Sequence, residues 1–268
     1  MISNFLQTCK VHSTMPLRLE FVLTDYCNLN CKGCTHYSPL APKEFESIDR
    51  LEANAARIAR AVGDAIPIVY LIGGEPLLYP QLPEAMEILR RNFPKAEIKL
   101  FTNGIALPKM SDEFWQACKS TDTVVAITRY PIRVDYDAIA ELCRSKGVKV
   151  EFFGDRSEKG SFFHFALDPE KKQNPHLSHF KCYNRGCVSV VGDKIYPCSI
   201  SACVGHLNKA CGTSFEHKKG DWIDIADLRS VEQIRQLRDK PVPFCGYCIN
   251  PPGTTDYGPS RRERSEWV

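Results

Sequence analysis

A chain of 268 residues, 43% hydrophobic and 25% charged, has the composition of an ordinary folded protein with its own core, which excludes disordered and fibrous classes. The surplus of 35 Lys and Arg over 32 Asp and Glu, a net +3, is too small to make a nucleic-acid backbone the expected partner. Apolar runs such as 66–72 fall far short of the roughly 20 residues of a membrane span, and the start MISNFLQTCK carries no basic-then-apolar leader. A cytoplasmic protein with no membrane or nucleic-acid partner is expected.

Along the chain, β-rich runs at 17–23, 66–72, 96–102, 123–128 and 148–153 alternate with helical patterns. The helices are expected over 48–62, closed by Gly63; over 83–92; from Ser111, with acidic residues in the first turn; and over 135–146, stopping at Gly147. Strands and helices in alternation imply an α/β fold with a parallel sheet and right-handed crossovers. Five such units are too few for a closed eight-stranded barrel. The expectation is therefore a partial (βα)6 TIM-like barrel, completed by a strand near 161–166 and followed by a small C-terminal extension.

After about residue 156 helical periodicity fades, and only 231–238 reads as a clear helix. Polar residues, histidines and cysteines crowd 164–217, so a region organised by metal is expected, because so few periodic apolar residues cannot form a core alone. Within it, VSVVGDKIYPC reads as a hairpin turning at Gly192-Asp193 and ending on Cys198. The tail is turn-rich, then charged, and is expected to loop over the surface. The chain thus divides into an N-terminal segment 1–16, a barrel 17–165, a metal-organised region 166–250 and a tail 251–268.

Thirteen cysteines, an odd count and about 5% of the chain, disfavour a disulfide framework and point to metal or redox chemistry. Cys118 and Cys143 lie in amphipathic helical patterns and read as small buried hydrophobes, and Cys9 stands alone. Cys27, Cys31 and Cys34 follow the first strand in the spacing C-x3-C-x2-C, on the face of an α/β barrel where active sites gather. Three thiolates on one loop suit three corners of an iron-sulfur cubane with one open iron; a zinc knuckle completed by His36 is the alternative. At the end of the second strand, Gly73 and Gly74 allow close approach to backbone carbonyls and Glu75 adds a carboxylate, together a receptor for an ammonium group. Farther on, Cys182, Cys187, Cys198, Cys245 and Cys248 offer five candidates for the four positions of one metal site. Cys187, Cys198, Cys245 and Cys248 are the core choice with Cys182 next, and a structural zinc ion in the same cysteines is the alternative. Phe162, Phe163 and Phe165 read as packing. The histidines lack metal-ligand spacing, although His36 and Tyr37, directly after the cysteine loop, are placed to face substrate.

C-x3-C-x2-C after strand one and GGEP after strand two resemble the two main motifs of the radical S-adenosylmethionine (radical SAM) superfamily, over residues 17–155. The resemblance implies that Cys27, Cys31 and Cys34 ligate a 4Fe-4S cluster that binds S-adenosylmethionine, with Gly73, Gly74 and Glu75 at the methionine ammonium. Asn103, in a Thr-Asn-Gly that resembles the motif often ending strand three, and Thr128 with Arg129 after strand four would also contact the cofactor. Members commonly carry an aromatic residue where this chain has Gly33, and Tyr37 is a substitute for that adenine contact. The second cysteine group resembles the SPASM and twitch extensions that carry auxiliary 4Fe-4S clusters. An enzyme follows from this resemblance. An external donor such as flavodoxin or ferredoxin would reduce the first cluster, and a 5'-deoxyadenosyl radical would abstract hydrogen from a small polar, carbohydrate- or cyclitol-like substrate. The auxiliary cluster would then help to oxidise it. The alternatives are an epimerase with a cysteine hydrogen donor (Cys203 and Cys211, otherwise ordinary loop thiols, being the candidates), a peptide-modifying enzyme, and a non-catalytic iron-sulfur or zinc electron-transfer protein.

Overall fold

The computed structural model describes residues 16–153 and 161–268. All but one residue of the expected N-terminal segment, Cys9 and His12 included, lies outside the described residues, as does the junction near 156.

The first half follows the alternation in the sequence. Strands β1 (Arg18–Thr24), β2 (Ile68–Gly73), β3 (Glu97–Thr102), β4 (Val124–Thr128) and β5 (Val150–Phe153) pair in parallel, in the order β5-β4-β3-β2-β1. Between them run α1 (Ile48–Val62), α2 (Leu82–Asn92), α3 (Asp112–Ser120) and α4 (Tyr136–Ser145). Their ends are set by local chemistry. Gly63 closes α1 at φ 55°, Ser111 accepts the Phe114 amide at the start of α3, and Asp135 accepts the amides of Asp137 and Ala138 at the start of α4. Alternate strand residues such as Leu19, Phe21 and Leu23 are fully buried in one core with Leu51, Ile58, Met86 and Phe114 of the helices. The opposite face carries polar groups, including Glu20 bonded by Ser189 and Lys99 paired with Glu151. One face of the sheet therefore holds the fold together and leaves the other, with the strands' C-terminal ends, for chemistry.

The structure corrects the expected sixth barrel strand. Residues Ser161–His164 form β6, which leaves the main sheet and pairs antiparallel with β10 (Gly253–Asp256) in a two-stranded ribbon. A strand buried on both faces needs a continuous apolar run, and SFFH alternates between exposed and half-buried positions. The sixth parallel strand is instead β7 (Val188–Val191), whose first three residues are buried and which lies alongside β1. The expected hairpin is present: β7 turns at Gly192-Asp193 into β8 (Lys194–Tyr196), and β9 (Ile223–Asp224) follows at the edge. The barrel sheet thus continues into the C-terminal region.

Two further expectations are corrected. Besides α7 (Val231–Asp239) and the short α5 (Pro175–Phe180), the C-terminal half contains a 13-residue helix, α6 (Ser199–Cys211), so Cys203 is a buried helical residue and no loop thiol. The tail, too, is structural. Trp267 is 2% exposed and packs on Tyr37, with ring centroids 5.7 Å apart. No helix among the described residues is long and apolar enough to cross a membrane.

Candidate active site

Where β1 ends, the chain is tied to the end of β2. The Gly74 amide donates to the Thr24 carbonyl at 2.7 Å, and the Glu75 amide to the Tyr26 carbonyl at 3.0 Å. A Cβ on Gly73 would lie 2.0 Å from the Thr24 oxygen, and one on Gly74 2.3 Å from that of Tyr26. Only glycine permits this contact, so GGEP anchors the segment leading into the cysteine loop. The tail holds the loop from the other side. Lys32 donates its amide to Gly258, Asn30 and Ser260 exchange hydrogen bonds, and the Trp267 indole donates to the Cys34 carbonyl at 2.9 Å.

This frame sets Cys27, Cys31 and Cys34 around one cavity of about 330 Å³, together with Gly73, Gly74, Asn103 and Thr128. Asn103 donates its side-chain amide to Asn28 at 2.7 Å and lies 3.9 Å from the Cys27 sulfur. Burial pushes the Cys27 thiol up to about 12; burial and the neighbouring Cys34 push Cys31 to about 11. Thiols held this way stay protonated unless a metal takes the proton's place.

Glu75 sits behind the cavity wall. It is 1% exposed, and its oxygens accept from the Leu77 amide (3.0 Å), the Thr102 hydroxyl (2.7 Å) and the Asn103 amide (2.9 Å). Burial raises it to about 7 against these three lowering hydrogen bonds. It buttresses the Asn103 turn from beneath, and does not line the cavity as its sequence-based role implied. Arg129 does not line it either: its guanidinium stacks on the Phe152 ring, 3.9 Å from the centroid. Tyr37 is 1% exposed and packed under Trp267, which removes it as an adenine platform. Gly33 adopts φ 67°, a backbone an aromatic residue would hold only with strain.

Sequence reasoning missed the aromatic side of the site. Phe162, Phe163 and Phe165, expected as packing, line the cavity, and Phe162 stacks on Tyr130 with centroids 5.7 Å apart. Tyr257 of the tail completes this wall, 5.3 Å from Phe162. The hydrophobic run SFFHF was the only available signal, and it does not say which face is covered.

A second cavity is lined by Cys182, Cys198, Cys245 and Cys248, and Phe165 lines both. Cys187, one of the four preferred candidates, is not brought there; its sulfur accepts from the Arg18 guanidinium at 3.3 Å, and Cys182 takes its place. Burial raises Cys245 to about 11, and Cys198 and Cys248 well above the usual thiol value. A tetrahedral zinc ion needs its sulfurs about 3.8 Å apart, yet among the described residues no three cysteine sulfurs lie within 4.8 Å of one another.

Comparison with known proteins agrees with this geometry. Residues 21–129 match the model of the Radical SAM superfamily. The GTP 3',8-cyclase of Alkaliphilus oremlandii is 30% identical over 99 residues, 37% of this chain and 31% of that protein. The cyclase of Moorella thermoacetica is 37% identical over 89 residues, 33% of this chain and 28% of that protein. The chain thus matches less than a third of these relatives' own length. The crystal structure of BtrN in complex with AdoMet and 2-DOIA superposes with a TM-score of 0.52 at 14% identity, over 89% of this chain and 94% of that one. That likeness shows a common fold.

Proposed function

We propose that this chain, whose residues 21–129 match the Radical SAM superfamily, acts as those enzymes do: it cleaves S-adenosylmethionine reductively and removes hydrogen from a small polar substrate, which it then oxidises. The observation that carries this reading is the convergence of Cys27, Cys31, Cys34, Gly73, Gly74, Asn103 and Thr128 on one cavity at the strands' C-terminal ends. A 4Fe-4S cluster on the three thiols with bound S-adenosylmethionine supplies a primary carbon radical able to abstract hydrogen from an unactivated C–H bond. The chain's own residues do the positioning. The Gly73–Gly74 backbone and the Asn103 and Thr128 side chains offer polar contacts to the methionine end. Tyr130 and Phe162, stacked on each other, give that cavity an apolar wall.

A polar substrate is supported by Lys32, Thr35, His36 and Ser38 in the cavity's lining. A carbohydrate or cyclitol fits this chemistry. Oxidation is supported by Cys182, Cys198, Cys245 and Cys248 around the adjoining cavity, where an auxiliary cluster would accept the second electron across Phe165. A low-potential one-electron donor of the flavodoxin or ferredoxin type is then required. Reduced protein incubated with C-deuterated sugars and cyclitols is expected to move deuterium into 5'-deoxyadenosine and yield a product two hydrogens poorer. Deuterium transfer only from a peptide would overturn the substrate class, and solvent deuterium at the attacked carbon would overturn oxidation in favour of epimerisation.

A further inference from the structure

Three ligating atoms that belong to neither thiol set converge from separate parts of the fold. Asp25 leaves β1 two residues before Cys27, His36 stands two residues after Cys34, and Cys203 comes from α6, whose first turn lines the second cavity. Among the described residues this is the single group of three such atoms lying within 4.8 Å of one another. The Cys203 sulfur is 3.4 Å from Asp25 Oδ1 and 3.8 Å from His36 Nδ1, and those two atoms are 3.6 Å apart. All three residues are poorly exposed: Cys203 3%, His36 8%, and the Asp25 side chain 16%.

The Cys203 thiol hydrogen-bonds at its two distances, but a hydrogen bond does not account for the third. An imidazole nitrogen and a carboxylate oxygen that bond each other come to about 2.7–3.2 Å, and the His36–Asp25 separation of 3.6 Å is longer. It is instead the edge of a coordination polyhedron. With metal bonds of about 2.0 Å to oxygen and nitrogen and about 2.3 Å to sulfur, tetrahedral ligands lie about 3.3–3.6 Å apart. The outer shell is built as well. The other Asp25 oxygen lies 2.8 Å from Nε2 of His206, one turn farther along α6, an arrangement that fixes a ligating carboxylate.

We infer that Asp25, His36 and Cys203 form a mononuclear Zn²⁺ site, distinct from the two sets of clustered thiols. One thiolate, one imidazole and one carboxylate suit zinc, and three protein ligands leave a fourth position open. His36 also lines the first cavity, and water or another oxygen ligand would fill the open position. The site does not depend on what the thiol cavities hold.

The probe is Zn²⁺ itself, dialysed into anaerobically reconstituted protein, with metal analysis and zinc K-edge absorption as readouts. About one zinc per chain is expected, with one sulfur near 2.3 Å and two or three nitrogen or oxygen ligands near 2.0–2.1 Å. Cys203→Ala and His36→Gln should each abolish retention, and His206→Ala should weaken it about 10- to 100-fold. No retained zinc, zinc ringed by sulfur alone, or full retention in Cys203→Ala would overturn the assignment. If Cys203→Ala fails to fold, the sulfur count of the unsubstituted protein decides by itself.

Discussion

Gly74 has no room for a side chain, since a Cβ would lie 2.3 Å from the Tyr26 carbonyl oxygen and neither backbone can yield without moving the cysteine loop. Gly74→Ala is expected to cost about 1–3 kcal/mol or more and to reduce iron retained at Cys27, Cys31 and Cys34. Gly192→Ala is the control: that glycine meets nothing within 4 Å, and only its φ of 53° opposes a side chain, a cost of about 1–2 kcal/mol without loss of iron. Equal effects of the two substitutions, by denaturant titration and iron analysis, would contradict the anchoring role. Glu75 gives a pH signature. Its carboxyl titrates near 7 when folded against 4.5 when exposed, because burial disfavours the charge. Stability from this group is fully present below about pH 4.5 and is lost as pH rises through about 7, a difference on the order of 3 kcal/mol. Glu75→Gln should flatten that slope, and an unchanged slope in the cofactor-free protein would contradict it. GGEP was legible in the sequence as a motif, but its contact with the cysteine segment joins residues some 50 positions apart, which local pattern does not encode.

At the scale of elements, the tail clamps the cysteine loop. Trp267 contributes both buried area and the hydrogen bond to the Cys34 carbonyl. Trp267→Ala is expected to cost about 3–5 kcal/mol, and Trp267→Phe, which keeps most of the packing, about 0.5–1.5 kcal/mol plus a small cavity. Thermal melts with iron analysis read both, and wild-type behaviour of Trp267→Ala would show that the clamp is idle. The strands and helices of 17–153 were legible because their apolar periods and caps are local. α6 was not, because reading its cysteines as loop thiols hides the stripe Ile200, Cys203, Val204 and Leu207, whose spacing is helical once cysteine is counted as apolar. The tail misled for another reason: a strand and a tryptophan recruited by a distant surface leave no periodic trace in GTTDYGPSRRERSEW. β6 was placed correctly as a strand and wrongly as a barrel member, since pairing partners are not written in a four-residue segment.

At the scale of the whole molecule, one sheet runs from β5 to β9 and sets two thiol cavities side by side with Phe165 between them. If each holds a 4Fe-4S cluster, reconstituted protein should carry about eight irons, and Cys245→Ala with Cys248→Ala should leave about four. Cys182→Ala should destabilise the second cluster while Cys187→Ala leaves it in place; the reverse would refute the ligand set. Which four of five cysteines belong together was not legible, because Cys187 is turned toward Arg18 by the strand it precedes, and Cys182 is delivered by α5. The central claim rests on the first cavity. Its most direct measurement is 5'-deoxyadenosine formed from S-adenosylmethionine by dithionite-reduced protein, in the unsubstituted chain and in Cys27→Ala, Cys31→Ala and Cys34→Ala. Formation with equal methionine in the former and none in the three variants is predicted; undiminished formation in any folded variant, or none in the parent carrying iron, would contradict it.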